Sequence, residues 1–194
     1  MDGPPDAFGS PYRLLSGAVV PRPIAWVSTR APDGTHNLAP YSFSNVATTD
    51  PPTLLFSSGG TGDDRKDSAR NAIETGAFVY NVVTEDVAEA MNETSATLEP
   101  DGDEFEHAGV TPADSVVVDA PRVAEATVSF ECRLADTLEV GASTVVLGEV
   151  VHAHVDESVL TDGKMDTRKL DAVGRLAGNE YARLTDRFSM ERPP

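Results

Sequence analysis

The alternation of apolar and polar positions predicts many strands and few helices. Leu14–Val20 and Ile24–Thr29 read as strands, broken by Pro21-Arg22-Pro23, where proline removes ladder donors. Pro32-Asp33-Gly34-Thr35 is a turn signal, and a hairpin there returns along Asn37–Tyr41. Asp50-Pro51-Pro52 interrupts the chain before a short strand over Thr53–Ser57, and Gly59–Asp64 reads as a loop. A helix is predicted from Arg65 to Thr75, with Asp63 or Asp64 as its cap and Gly76 in the left-handed position after its end. Ala77–Val83 is a strong strand. Thr84 is placed to cap a second helix over Glu85–Glu93, with Glu85 and Asp86 favourable in its first turn. Pro100–Pro112 reads as loop, Val123–Leu138 and Thr144–Val155 as long strands, and Val159–Arg168 as polar and irregular; 174–190 fits no single pattern. Residues 1–11, with Pro4, Pro5 and Pro11, read as an extended N-terminal arm. Strands in this number with a few short helices predict a mainly β fold, a barrel with helical decoration.

Composition narrows this picture. At 194 residues the chain is the size of one domain, taken here as 12–192. Apolar residues at 40% and charged residues at 24% exclude wholesale disorder. Fifteen basic against 32 acidic residues give a net charge of −17, which argues against a nucleic-acid face. Only Lys66, Lys164 and Lys169 are lysines. Many carboxylates with few lysines fit a protein built for high salt, where a Debye length of about 3 Å at 1 M screens self-repulsion. No apolar run reaches the roughly 18 residues of a membrane span, and Met1–Pro5 lacks the charged and apolar regions of a secretory signal. A single cysteine, Cys132, rules out an internal disulfide framework. The expectation is a soluble cytoplasmic protein with neither nucleic acid nor membrane as partner.

Several motifs fail on their own chemistry. Gly59-Gly60-Thr61-Gly62 precedes Lys66, but a phosphate loop needs Gly-Lys-Ser/Thr contiguous, and here Arg65 and Asp67 flank the lysine. His152 and His154 share one face of a strand, yet no nearby cysteine or third histidine completes a metal site. Cys132 sits in an alternating strand and reads as a buried structural thiol. Asn92-Glu93-Thr94 matches a glycosylation acceptor without any sign of secretion, and no nucleophile elbow supports hydrolase chemistry.

Three segments are more specific: Pro21–Thr29, Asn37–Asn45 and Arg65–Asn71. The second is odd for a strand, because Pro40 withholds a donor while Ser42, Ser44 and Asn45 set polar groups around Phe43. Such a stretch suits the edge of a flat heteroaromatic ligand. The third puts Lys66 and Ser68 at a helix start, where free N–H groups and the helix dipole favour an anion. A capped surface helix is the plain alternative for that segment alone.

Together these segments resemble the flavin reductase-like family of FMN-binding split barrels. The resemblance continues in order through Gly76–Val82, Ala90–Ser95, Asp103–Phe105, Ala108–Pro112, Pro121–Val123, Glu131–Leu134, Gly148–His154 and Gly174–Tyr181, covering 12–192. It implies a Greek-key split β-barrel with short peripheral helices, forming a homodimer with FMN near the subunit interface. It places Ser42, Phe43, Ser44 and Asn45 along the flavin ring and ribityl chain, with Ser28 and Thr29 on the neighbouring strand. Ser57, Lys66, Asp67 and Ser68 would surround the phosphate, with Asp67 capping the helix or orienting Lys66. His154 and Tyr181 would lie on the nicotinamide side, and no single catalytic side chain is expected. Ser68 departs from a position where threonine is expected, and keeps the hydroxyl.

The implied activity is hydride transfer from NAD(P)H to flavin, with electrons passed to an acceptor such as a partner monooxygenase. The protein's share of that work is binding, orientation and exclusion of water. A reduced deazaflavin donor, a non-enzymatic flavin- or haem-binding role and a structural dimer without ligand remain alternatives. The choice between NADH and NADPH, the acceptor, and whether FMN is prosthetic group or substrate are left open.

Overall fold

A computed structural model describes residues 2–98 and 102–193. Its frame is a seven-stranded antiparallel sheet. The strands are β1 (Ala25–Arg30), β2 (His36–Tyr41), β3 (Ser44–Thr49), β4 (Pro52–Gly59), β5 (Ala77–Val82), and the two long strands β8 (Val128–Val140) and β9 (Ser143–Val155). Their order is β2-β1-β5-β8-β9-β4-β3. Between β5 and β8 the chain forms a two-residue ladder of β6 (Pro112–Ala113) and β7 (Arg122–Val123). The sheet curls so that Tyr41 of β2 meets Phe56 of β4, ring centres 4.9 Å apart.

Both faces of the central strands are covered. Ala25, Val27, Phe56, Phe78, Tyr80, Cys132 and Val146 fill the inside of the curl, closed by Ala69 and Ala72 of helix α2 (Asp67–Thr75). Trp26, Leu38, Val83 and Val123 face the other way, under α3 (Ala88–Glu93) and α4 (Glu104–Ala108), which supply Met91 and Phe105. This explains why β1 and β5 are buried along nearly their whole length rather than at alternate positions. Among the described residues no helix is long and apolar enough to cross a membrane.

The hairpin β1–β2, the strand after Pro51, and the long pair β8–β9 follow the expectation. Leu14–Val20 does not: Pro11–Ala18 is helix α1. Ser10 caps it by accepting from Arg13 N at 3.2 Å, and Pro11 fits its first turn without losing a needed donor. The arm before it holds a 3₁₀ turn over Pro5–Phe8 and is not extended throughout. Asp63 and Asp64 lie in a separate 3₁₀ turn, so α2 begins instead after Lys66, with no side-chain cap. Gly76 takes the left-handed position after α2, at φ 75°. Thr84 makes no cap bond either; a 3₁₀ turn at Glu85–Val87 leads into α3. Within the expected loop, Asp103 caps the short helix α4; Pro100 lies outside the described residues. Val159–Arg168 forms a small hairpin of β10 (Leu160–Thr161) and β11 (Lys164–Met165). Within 174–190, β12 (Val173–Arg175) pairs with β13 (Tyr181–Arg183).

Candidate functional site

Two grooves flank β2 and share Pro40 and Ser95 in their walls. One, of about 660 Å³, is lined by Asn37, Tyr41, Lys66, Asp67, Arg70 and Glu104 among others. The other, of about 850 Å³, takes in Tyr12, Ser42, Asn92, Arg175 and Tyr181.

The start of α2 borders the smaller groove. Ala69 N and Arg70 N turn back to Lys66 O at 3.1 and 3.0 Å, and no side chain caps the end. Lys66 and Asp67 are exposed. The Asp67 carboxylate neither caps the helix nor orients Lys66; it pairs with Arg70 one turn on. Ser68 is buried, and its hydroxyl accepts from Asn37 Nδ2 at 2.8 Å. Asn37 also reaches Thr29 Oγ1 at 3.4 Å, as Asn71 does at 3.2 Å. Burial pushes the Tyr41 phenol up, against hydrogen bonds to Ser68 and Ser58. Thr29 and Ser68 thus belong to a polar network behind the helix start. Asn37, Tyr41 and Asn71 belong with them, and sequence reasoning missed all three as site residues.

Ser42, Phe43, Ser44 and Asn45 form one continuous stretch where β2 passes into β3, and Ser57 lies beside it on β4. Ser57 N donates to Phe43 O at 2.8 Å, tying β4 to it. Phe43 is half exposed, with the Arg22 guanidinium 5.7 Å from its ring centre and Tyr12 beside it. Ser44 is buried and its Oγ lies 3.1 Å from Pro23 O. Asn45 Oδ1 accepts from Val46 N at 2.8 Å. The organiser is Arg22, buried itself, which donates to Val19 O at 3.0 Å, Leu176 O at 2.8 Å, Ser16 O and Ser42 Oγ. One cation therefore joins the end of α1, the β12 region and the stretch beginning at Ser42. Its signal in the sequence was an arginine between two prolines.

Of the remaining expected residues, Ser28 and His154 lie apart from both grooves, while Tyr181 shares the larger groove with Ser42. Ser28 is fully buried, with its hydroxyl bonded to Pro121 O and Asn81 Nδ2; it faces neither groove. Tyr181 lines the larger groove, its hydroxyl 3.1 Å from Asn92 Oδ1 and its ring under Arg175 at 4.6 Å. His154 lines neither groove. It sits on β9, with Nε2 2.6 Å from Glu131 Oε1. Glu131 is wholly buried and also accepts from the backbone N–H groups of Val116, Val117 and Val118 at 2.6–3.0 Å. Burial pushes its carboxyl up, but these four bonds outweigh it and hold the group at about 2.

Residues 16–171 match the family model described as the flavin reductase like domain. The chain belongs to the flavin reductase-like family. This flavin reductase-like protein is 44% identical over 189 residues to the uncharacterized protein BH2278 of Halalkalibacterium halodurans, spanning 94% of this chain and 90% of that one. The FMN reductase (NADH) RutF of Bradyrhizobium diazoefficiens is 31% identical over 130 residues, 61% of this chain and 63% of its own. Among solved structures, nitrilotriacetate monooxygenase component B from Bacillus cereus superposes with a TM-score of 0.89 at 38% identity, covering 93% of this chain and 92% of that one. The fold is the split barrel: the protein with a split barrel domain from Shewanella frigidimarina superposes with a TM-score of 0.78 at 24% identity, covering 93% of this chain and 89% of that one.

Proposed function

We propose that this protein binds FMN and transfers hydride to it from NAD(P)H, passing the electrons to a separate acceptor. The observation that carries the reading is the uncapped start of α2 with Lys66 beside it. In a chain of net charge −17, a free helix N-terminus with an exposed lysine is a place suited to a phosphate. The donor set fits: Lys66 supplies a point charge, and the first backbone N–H groups of α2 supply directional donors. Arg70 draws the Asp67 carboxylate aside and lowers its repulsion of an anion. Thr29, Ser68, Asn37 and Tyr41 brace the helix start from behind.

The flavin ring would lie along Ser42–Asn45, with Ser57 next to them and Phe43 as an apolar edge. When bound, the flavin supplies the chemistry, accepting hydride and delivering electrons. Arg22 holds the Ser42–Phe43 turn in place, and the larger groove with Tyr181 receives the nicotinamide. A second copy of the chain would cover the exposed β3 side and exclude water. The names of the relatives support both halves of the reading, one as an FMN reductase using NADH and one as a monooxygenase component.

Anaerobic stopped-flow absorbance tests it. Mixing the FMN-loaded protein with NADH or NADPH should bleach the flavin band saturably, faster than free FMN. Lys66→Ala should weaken FMN about tenfold to a hundredfold, since a charge-assisted contact is worth about 1.5–3 kcal/mol, and leave riboflavin nearly unchanged. Equal losses for both ligands would remove Lys66 from the phosphate site. FMN binding without bleaching would remove the nicotinamide donor.

A further inference from the structure

We propose that Glu131, His152 and His154 bind a divalent first-row transition cation, with Zn²⁺ the best fit. The three groups offer ligand atoms within 4.8 Å of one another. His154 Nε2 is already 2.6 Å from Glu131 Oε1, and the two imidazoles stand edge to face with centres 4.9 Å apart. Metal bonds of about 2.0–2.2 Å would require His152 to swing inward slightly and His154 to yield its bond to Glu131. The completing ligand is a carboxylate from the neighbouring strand, which the spacing within β9 alone could not reveal.

A break in strand register makes the cluster. Glu131 pairs with His152, whereas the next residue, Cys132, pairs with Val150; Val151 is the extra residue of a bulge. Without it Glu131 would oppose Val151, and both histidines would turn to the opposite face, away from the carboxylate. The bulge thus sets two histidines and one buried carboxylate on the same side. Glu131 is fixed from below by Val116–Val118, so it is a pre-positioned anionic ligand. His152 and His154 are partly exposed and give a cation a way in from solvent. Two imidazoles with one carboxylate suit zinc, cobalt or nickel and discriminate against magnesium and calcium, which prefer all-oxygen sites.

The test is metal uptake by the untagged, chelator-treated full chain, using Zn²⁺ in equilibrium dialysis and Co²⁺ as a spectroscopic probe. One Zn²⁺ per chain should bind in the presence of millimolar Mg²⁺, and Co²⁺ should develop visible bands that Zn²⁺ removes. His152→Gln should weaken Zn²⁺ by more than the roughly 10–100-fold that follows loss of an outer-layer partner. It should leave FMN affinity unchanged, which separates this site from the one at α2. His154→Gln should weaken Zn²⁺ likewise, so the result does not depend on one variant folding. No uptake, uptake displaced by Mg²⁺, or uptake indifferent to both variants would overturn the proposal; the last two would assign the metal to the acidic surface.

Discussion

At the scale of single residues, the buried polar groups carry the most consequence. Glu131 closes four hydrogen bonds and leaves none of its surface to solvent. Glu131→Gln should therefore destabilise the protein by about 3 kcal/mol, because an amide offers N–H where an acceptor is needed and strands donors that water cannot reach. His152→Gln, on the rim, should cost under about 1 kcal/mol; urea midpoints of the two variants check the difference. Next to Glu131, Cys132 is fully buried, and burial with that neighbouring charge pushes its thiol well up. It should resist thiol-modifying reagents in the native state and react only on unfolding, which a label count with and without denaturant measures. Cys132 was legible from the sequence, since an apolar-alternating strand implies a sealed thiol. Glu131, Asn81 and Arg22 were not. Each is a polar residue with at least one partner far along the chain, on a loop or strand that only the fold brings near.

At the scale of elements, the helix that carries the candidate phosphate site is built against its own stability. Lys66 occupies the N-cap of α2 and makes no cap bond there. Lys66→Ser should stabilise the ligand-free protein by about 0.5–2 kcal/mol through a new cap while FMN affinity falls. The midpoint without FMN should rise, and the further rise on adding FMN should shrink relative to the parent. An undiminished FMN-induced rise would mean the helix start is not a ligand site. The strand β9 has a similar constraint: a Cβ at Gly148 would stand 2.4 Å from the Phe78 ring and 2.8 Å from Cys132 Cβ. Gly148→Ala should cost about 1–3 kcal/mol by overpacking, read from denaturant unfolding. Elements with strong turn punctuation were legible, such as β1–β2 around Gly34 and α2 ending at Gly76. The helix α1 was misread because Leu14, Ala18, Val19 and Val20 suggest a strand; the stronger evidence was Ser10-Pro11, a cap followed by a first-turn proline. Helix α4 and the 3₁₀ turns were missed because each is five residues or shorter, too brief for periodicity to register.

At the scale of the whole molecule, charge and site pull in opposite directions. The chain carries −17, and the proposed ligands are anions. At about 0.01 M salt the Debye length is roughly 30 Å, so carboxylates across the molecule repel both one another and an approaching phosphate. At about 1 M it shrinks to roughly 3 Å, and only the nearest groups are felt. Those nearest groups at the start of α2 are Lys66, the helix N–H groups and Arg70, whose charge is shared with Asp67, set against the Glu104 carboxyl in the same groove. Two outcomes follow from the same screening. The thermal midpoint of the ligand-free protein should rise with KCl, because self-repulsion is a cost that salt removes. FMN affinity, followed by quenching of flavin fluorescence, should hold steady or rise over the same range, since the long-range term lost is unfavourable and the short-range terms kept are directional hydrogen bonds. An ordinary basic phosphate site behaves the opposite way and weakens steadily with salt. A steady loss of FMN affinity from 0.01 to 1 M would mean that attraction, rather than repulsion, dominates at long range, and would move the phosphate away from α2 to a basic surface the −17 balance does not suggest.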